Sequence, residues 1–283
     1  MSFVTPASVV NPASVVNPAS TVVSAHLEAQ VTETAEIIFS LAVAQGPAVA
    51  DEVLTITLDG TPLDVEELVV DNGGRLHIVR EVAPGELVLD YRASAAHAST
   101  AGAVTTTDEV VYQRPSRYCE SDVLATPANR LFAGFAGQAL IDAVVDWVWA
   151  QTQYVPGSSG PTDGAVDTFL AGQGVCRDYA HLVVTLLRAR GVPARLVSVY
   201  APGLYPMDFH AVVEVALEGR WQLVDATRLA PRASMVRIAT GRDASDTAFM
   251  TVHSGAVSLE GMQVTAIALP LLPRDDVTTP FHL

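Results

Sequence analysis

Cys176 lies in the run Gly174-Val175-Cys176-Arg177-Asp178-Tyr179-Ala180-His181. There a glycine-containing turn leads into the apolar-periodic stretch Leu182, Val183, Leu186, Leu187, which Gly191 and Pro193 close. That pattern predicts a helix with the thiol at its N-terminus. Unpaired N–H groups and the positive end of a helix dipole favour an anionic sulfur at such a position, and an anionic sulfur is a nucleophile.

The partners of a thiol nucleophile can be placed by strand arithmetic. Phe209–Leu217 and residues 220–225 read as strands, joined by a two-residue turn at Glu218-Gly219. If Leu217 pairs with Arg220, facing residues have a constant sum and Val212 lies opposite Asp225. His210 is two residues from Val212, so it shares a sheet face with Asp225 as a diagonal neighbour. In that geometry the thiolate attacks a carbonyl, the imidazole carries a proton to the leaving group, and the carboxylate fixes the imidazole tautomer. Taken singly, each residue has an ordinary role: a small buried hydrophobe, a core or surface histidine, a turn-capping aspartate. Jointly, at a helix start and on one hairpin face, they read as a constellation.

Other side chains in the window have structural roles. His181 follows Cys176 by five residues, about 140° round a helix axis, which turns it away from the thiol and makes it a structural or supporting histidine. Asp178 falls in the first helical turn and reads as a cap. Gln173 could offer an amide donor to an oxyanion beside the Cys176 N–H, or be an ordinary loop residue.

The block around Cys176, His210-Ala-Val-Val-Glu-Val215 and Trp221-Gln-Leu-Val-Asp-Ala-Thr227 resemble the three motifs of the bacterial transglutaminase-like superfamily. The likeness extends to Tyr154-Val-Pro-Gly-Ser-Ser159 and covers roughly residues 113–255. It implies a papain-like α+β fold, with Cys176 as nucleophile, His210 as base and acid, and Asp225 as orienter. Transglutaminases, proteases, amidases and acyltransferases belong to that superfamily. Val212 departs from the tryptophan often found two residues after the histidine, which weakens any inference of a stacked substrate wall.

Cofactors are not called for. There is no Cys-x-x-Cys and no His-Glu-x-x-His, and the seven histidines are scattered. Cys119 and Cys176 are the only cysteines, too few for a disulfide framework, and point to a reducing compartment. No run of 18 apolar residues occurs and Arg75 is the first basic residue, so a signal or transit peptide is not expected and the address read is cytoplasmic. Net charge is −15, and all sixteen basic residues are arginine. Residues 1–112 hold 15 acidic residues against three arginines, a local balance of −12. Such a surface repels nucleic acid and anionic lipid, so neither is an expected partner, and it either maintains solubility or steers basic substrates.

Organisation follows from texture. Residues 1–20 carry a Pro-Ala-Ser-Val-Val-Asn repeat and read as an extended low-complexity tail. Period-two alternation from Ser24, with turns at Asp71-Asn-Gly-Gly74 and Pro84-Gly85, predicts an all-β sandwich over 21–112. Residues 113–135 read as an irregular linker. Residues 136–270 read as the catalytic domain, in which the nucleophile helix packs on an antiparallel sheet that takes in strands near 195–199, 210–217, 221–225 and 263–268. Residues 271–283 read as a C-terminal tail. The expectation is a thiol acyl-transfer enzyme acting on protein or peptide amides through a thioester at Cys176, with protease or amidase chemistry slightly ahead of amine transfer. The alternative is a non-catalytic binding or scaffold protein that keeps the fold.

Overall fold

The computed structural model describes residues 19–97 and 102–283. Residues 1–18 of the expected tail of 1–20 lie outside the described residues, and Ser20 already belongs to the first strand. In chain order the strands β1 (Ser20–Phe39), β2 (Val49–Leu58), β3 (Thr61–Pro62), β4 (Glu66–Val69), β5 (Arg75–Val82) and β6 (Gly85–Ala96) come first. The helices α1 (Thr106–Val111), α2 (Ala125–Leu131) and α3 (Gly137–Gln151) follow, then β7 (Gln153–Tyr154), α4 (Ala165–Ala171), β8 (Gln173–Gly174) and α5 (Cys176–Ala189). The chain ends with β9 (Ala194–Tyr200), β10 (Phe209–Leu217), β11 (Arg220–Val224), a 3-10 turn at Arg232–Ser234, β12 (Val236–Gly241) and β13 (Met250–Leu269).

Strands β1 to β6 and β13 form one seven-stranded sheet. β1 is its spine, pairing antiparallel with β6 at one end, with β5 at the other and with β13 along most of its length. Its alternation places Val23, Ala25, Leu27, Ala29 and Val31 in the core, the period expected of a strand with one buried face.

Three expectations need correction here. The strand read over 263–268 does not join the sheet beneath the nucleophile helix; it belongs to β13, where Val264, Ala266 and Ala268 bury their side chains in the core of the first sheet. Residues 106–111 are helical, started by a capping box between Thr105 and Asp108, and residues 125–131 of the expected linker are helical too. The segment 271–283, read as a tail, is pinned to the second sheet. Asp275 and the carbonyls of Asp276 and Thr279 hold the Arg232 guanidinium, and Leu223 N–H donates to Phe281 O at 2.7 Å.

The second sheet has four antiparallel strands in the order β11-β10-β9-β12. α5 lies on it through Leu182, Val183, Leu186 and Leu187, which pack with Leu196, Val213, Val215 and Val224, while α3 and α4 contribute to the same core. This is the expected α+β arrangement of a helix on an antiparallel sheet. Buried Glu214 on β10 binds Arg195 of β9 at 2.6 Å and Arg237 of β12, tying three strands together on one charge. Tyr200, Val236, Ile238 and Ala239 of this sheet sit in the core of the first, so the two sheets share apolar packing.

Candidate functional site

The α5 N-terminus is built by its own first turn. Asp178 accepts the Val175 N–H at 2.7 Å, capping the helix as its position predicts, and also accepts the Ser159 hydroxyl at 2.8 Å. Arg177 donates to Ser159 Oγ at 2.7 Å and Gly160 O at 2.6 Å, so the turn at 158–160 is strapped to the helix start. β7 and β8 form a short parallel ladder with Tyr154 opposite Gly174. A Cβ at Gly174 would meet the Asp178 Cβ at 2.6 Å, which explains a glycine two residues before the thiol. Cys176, partly exposed, opens α5 from this frame.

The hairpin follows the arithmetic. Leu217 pairs with Arg220 and Val213 with Val224, with Glu218 and Gly219 both at positive φ, as a two-residue turn requires. His210 Nε2 consequently lies 2.8 Å from Asp225 Oδ2, with both residues buried. Thr227 holds the other carboxylate oxygen, its N–H at 2.8 Å and its hydroxyl at 2.7 Å from Oδ1. Asp225 thus accepts from three donors and keeps one orientation.

Electrostatics follow this geometry. Burial opposes a charged His210, but the Asp225 charge and hydrogen bond outweigh it, and with a contribution from Cys176 they raise the imidazole to about 10. Burial likewise opposes an ionised Asp225, and His210 together with the Thr227 donors holds its carboxyl below the usual range. His210 Nδ1 is buried without a hydrogen-bond partner, and the Cys176 thiol is among the groups that act on the ring, with Asp225 and Thr227. One ring nitrogen is thus fixed by a carboxylate, and the other is left without a hydrogen-bond partner.

The supporting residues separate clearly. His181 stacks on Tyr118 with centroids 5.3 Å apart and accepts the Ala244 N–H at 3.1 Å through Nε2; burial pushes it down to about 3, as suits a neutral packing histidine. Cys119 is buried and its thiol is pushed up to about 12 by burial. Gln173 is exposed and lines a cavity of about 40 Å³ with Ser158, Ser159, Asp163 and Asp178, on the Asp178 side of the turn. The Tyr154 phenol lies close enough to the Cys176 backbone to interact with it, and it is raised to about 12 first by burial and then by the negative groups around it. Sequence reasoning missed Tyr154 as a neighbour of Cys176, because a two-residue ladder between distant segments puts it there. It also missed Thr227, for which the Asp-Ala-Thr spacing was a readable signal of a side chain closing a local turn. Among the described residues no cluster of three or more His, Cys, Asp or Glu could hold a metal ion, and no helix is long and apolar enough to cross a membrane.

A helix carrying a cysteine on an antiparallel sheet carrying a histidine–carboxylate pair defines a class, and the chain belongs to it as a member of the bacterial transglutaminase-like superfamily. Residues 136–226 match the family model of the Transglutaminase-like superfamily. A protein of Cytophaga hutchinsonii described as "a Putative Cysteine Protease" is 31% identical, with a TM-score of 0.82 and coverage of 95% of both chains, so the likeness includes both sheets. The uncharacterized protein ML0607 of Mycobacterium leprae is 29% identical over 162 residues, which are 52% of this chain and 56% of that protein's length. The periplasmic domain of TgpA from Pseudomonas aeruginosa matches more loosely, at 22% identity and a TM-score of 0.38 over 70% of this chain and 91% of that one.

Proposed function

We propose that the chain is a thiol-dependent enzyme acting on protein or peptide amides, with Cys176 as nucleophile, His210 as acid and base and Asp225 as orienter. The observation that carries this reading is the buried His210–Asp225 contact at 2.8 Å, on a ring that the thiol at the α5 N-terminus also acts on. The sulfur attacks the amide carbonyl and the carbonyl electrons move onto oxygen, where the Cys176 N–H and the Tyr154 hydroxyl are the candidate donors. His210 then gives a proton to the departing amine, leaving a thioester on Cys176. Water, deprotonated by the neutral His210, attacks the thioester and releases the acid and the free thiol. An amine in place of water gives transfer instead of hydrolysis. We favour hydrolysis slightly, since no acceptor site is evident, and assign residues 136–270 as the catalytic unit with β13 lent to the first sheet. Two free cysteines suit a reducing, cytoplasmic address.

Alkylation of the whole chain with iodoacetamide, mapped by mass spectrometry, tests this. Rapid labelling of Cys176 that slows strongly in His210→Gln, with Cys119 almost unlabelled, is the expected result. Equal slow labelling of both thiols would favour a non-catalytic binding protein.

A further inference from the structure

The loop that delivers His210 carries a carboxylate that the mechanism does not use. Residues 201–208 link β9 to β10, lead directly into His210 and are anchored by apolar packing. Leu204 is buried, Met207 packs against the cores of both sheets, and Phe209 is wedged between Tyr200 and Phe249 with ring centroids 5.6 and 5.2 Å away. Above these anchors Tyr205 and Asp208 face solvent. Asp208 is two residues before His210. Asp208 immediately precedes β10, so its backbone lies within about 7 Å of that of His210.

Its carboxylate is oriented but not neutralised. Oδ1 accepts the N–H of the next residue, Phe209, at 2.7 Å, which fixes the group relative to the strand. Among the described residues Asp208 takes part in no ion pair, whereas the arginines near the site are committed: Arg177 to Ser159 and Gly160, and Arg228 to Asp146. The charge of Asp208 acts on His210 and on the Tyr154 phenol, two groups that flank Cys176, and its own carboxyl is raised because the rim crowds it. An exposed, oriented carboxylate two residues from His210 and paired with no arginine is a recognition element awaiting a cation.

We propose that Asp208 is a specificity residue of this site, receiving a protonated amine or guanidinium of the substrate next to the carbonyl that Cys176 attacks. The proposal rests on the thiol-enzyme reading above. The cation can come from a lysine or arginine side chain of the acyl donor, or from an amine acceptor.

Three methanethiosulfonates of similar size, one cationic (trimethylammonioethyl), one anionic (sulfonatoethyl) and one neutral, form a mixed disulfide with Cys176 and release methanesulfinate. Rates mapped to Cys176 are compared in the wild type, in Asp208→Asn and in the control Glu33→Gln, each checked for folding by thermal melting. Asp208→Asn should lower the cation-to-anion rate ratio by roughly five- to tenfold, the scale of one charge at about 7 Å in a partly solvated setting, the neutral reagent serving to normalise any general change in thiol reactivity. Glu33→Gln should leave the ratio as it is. Two further arms identify the source. Peptidyl chloromethyl ketones with lysine or norleucine beside the reactive carbon report on the acyl donor. Loss of acetyl from enzyme loaded with p-nitrophenyl acetate, with and without 1,5-diaminopentane, reports on the acceptor. A lysine preference or a diamine acceleration that disappears in Asp208→Asn assigns the cation to that partner. An unchanged reagent ratio, or a changed ratio with neither preference, overturns the proposal. Failure of the thiol reading looks different: even the neutral reagent would then modify Cys176 of the wild type no faster than Cys119.

Discussion

At the residue scale the proposed chemistry rests on one buried imidazole held at one ring nitrogen by a carboxylate. A buried histidine raised to about 10 from its ordinary 6.5 is charged in the folded chain and neutral in the unfolded chain between those values. The folded state then binds the extra proton, so its contribution to stability is complete below about pH 6.5 and is lost as pH rises toward 10. Melting temperature should fall more steeply from pH 7 to 10 in the wild type than in His210→Gln; parallel curves would show that the ring is not held charged. Asp225→Asn keeps the shape but loses the charge, and should lower the rate of Cys176 acylation by about two to four orders of magnitude. Thioester formation followed by mass spectrometry measures it. His210 and Asp225 were legible in the sequence because a two-residue hairpin makes register a matter of counting. Tyr154 was not. Its place depends on a parallel bridge between residues 153–154 and 173–174, and nothing local to either segment announces the other.

At the element scale two buried carboxylates hold parts together. Asp178 caps α5 and grips the 158–160 turn, so Asp178→Ala frees the Val175 N–H and the Ser159 hydroxyl at once. The loss should be about 1–3 kcal/mol, with Asp178→Asn recovering part of it, as read by denaturant unfolding. Glu214 matters more for the sheet. Removing it leaves Arg195 and Arg237 facing each other without their shared anion, and Glu214→Ala should cost about 3–5 kcal/mol in the same assay. A milder loss would mean that stacking of Arg195 over Trp221, at 3.9 Å, carries the arginine by itself. The caps of α5 were readable from Asp178 and its neighbours. The helices at 106–111 and 125–131 were harder, because they are six and seven residues long and too short for an apolar period to show.

For the whole molecule, the strand β13 decides how far the two sheets are independent. Its alternation of small and apolar residues marks a strand with one buried face, but alternation does not say which sheet supplies the partner. The sequence reading put it beneath the nucleophile helix because it follows that region in the chain. In the fold it returns across the molecule to pair with β1, from Ser20 opposite Leu269 to Phe39 opposite Met250. The first sheet is thus closed by residues from both ends of the described chain, with the second sheet inserted between them. Tyr200 reinforces the link: its ring lies 6.4 Å from Tyr91 and its hydroxyl donates to Leu41 O at 2.9 Å. A chain lacking residues 1–112 would lose every partner of β13 and expose Val264, Ala266 and Ala268, which the full chain buries. Such a truncation should be insoluble or only partly folded, whereas the full chain should unfold in a single cooperative transition because neither sheet keeps its core without the other. Differential scanning calorimetry, with the calorimetric and van't Hoff enthalpies compared, measures this. Two resolved transitions, or a soluble, cooperatively folded product of the truncation, would show instead that β13 and Tyr200 only decorate two self-sufficient units.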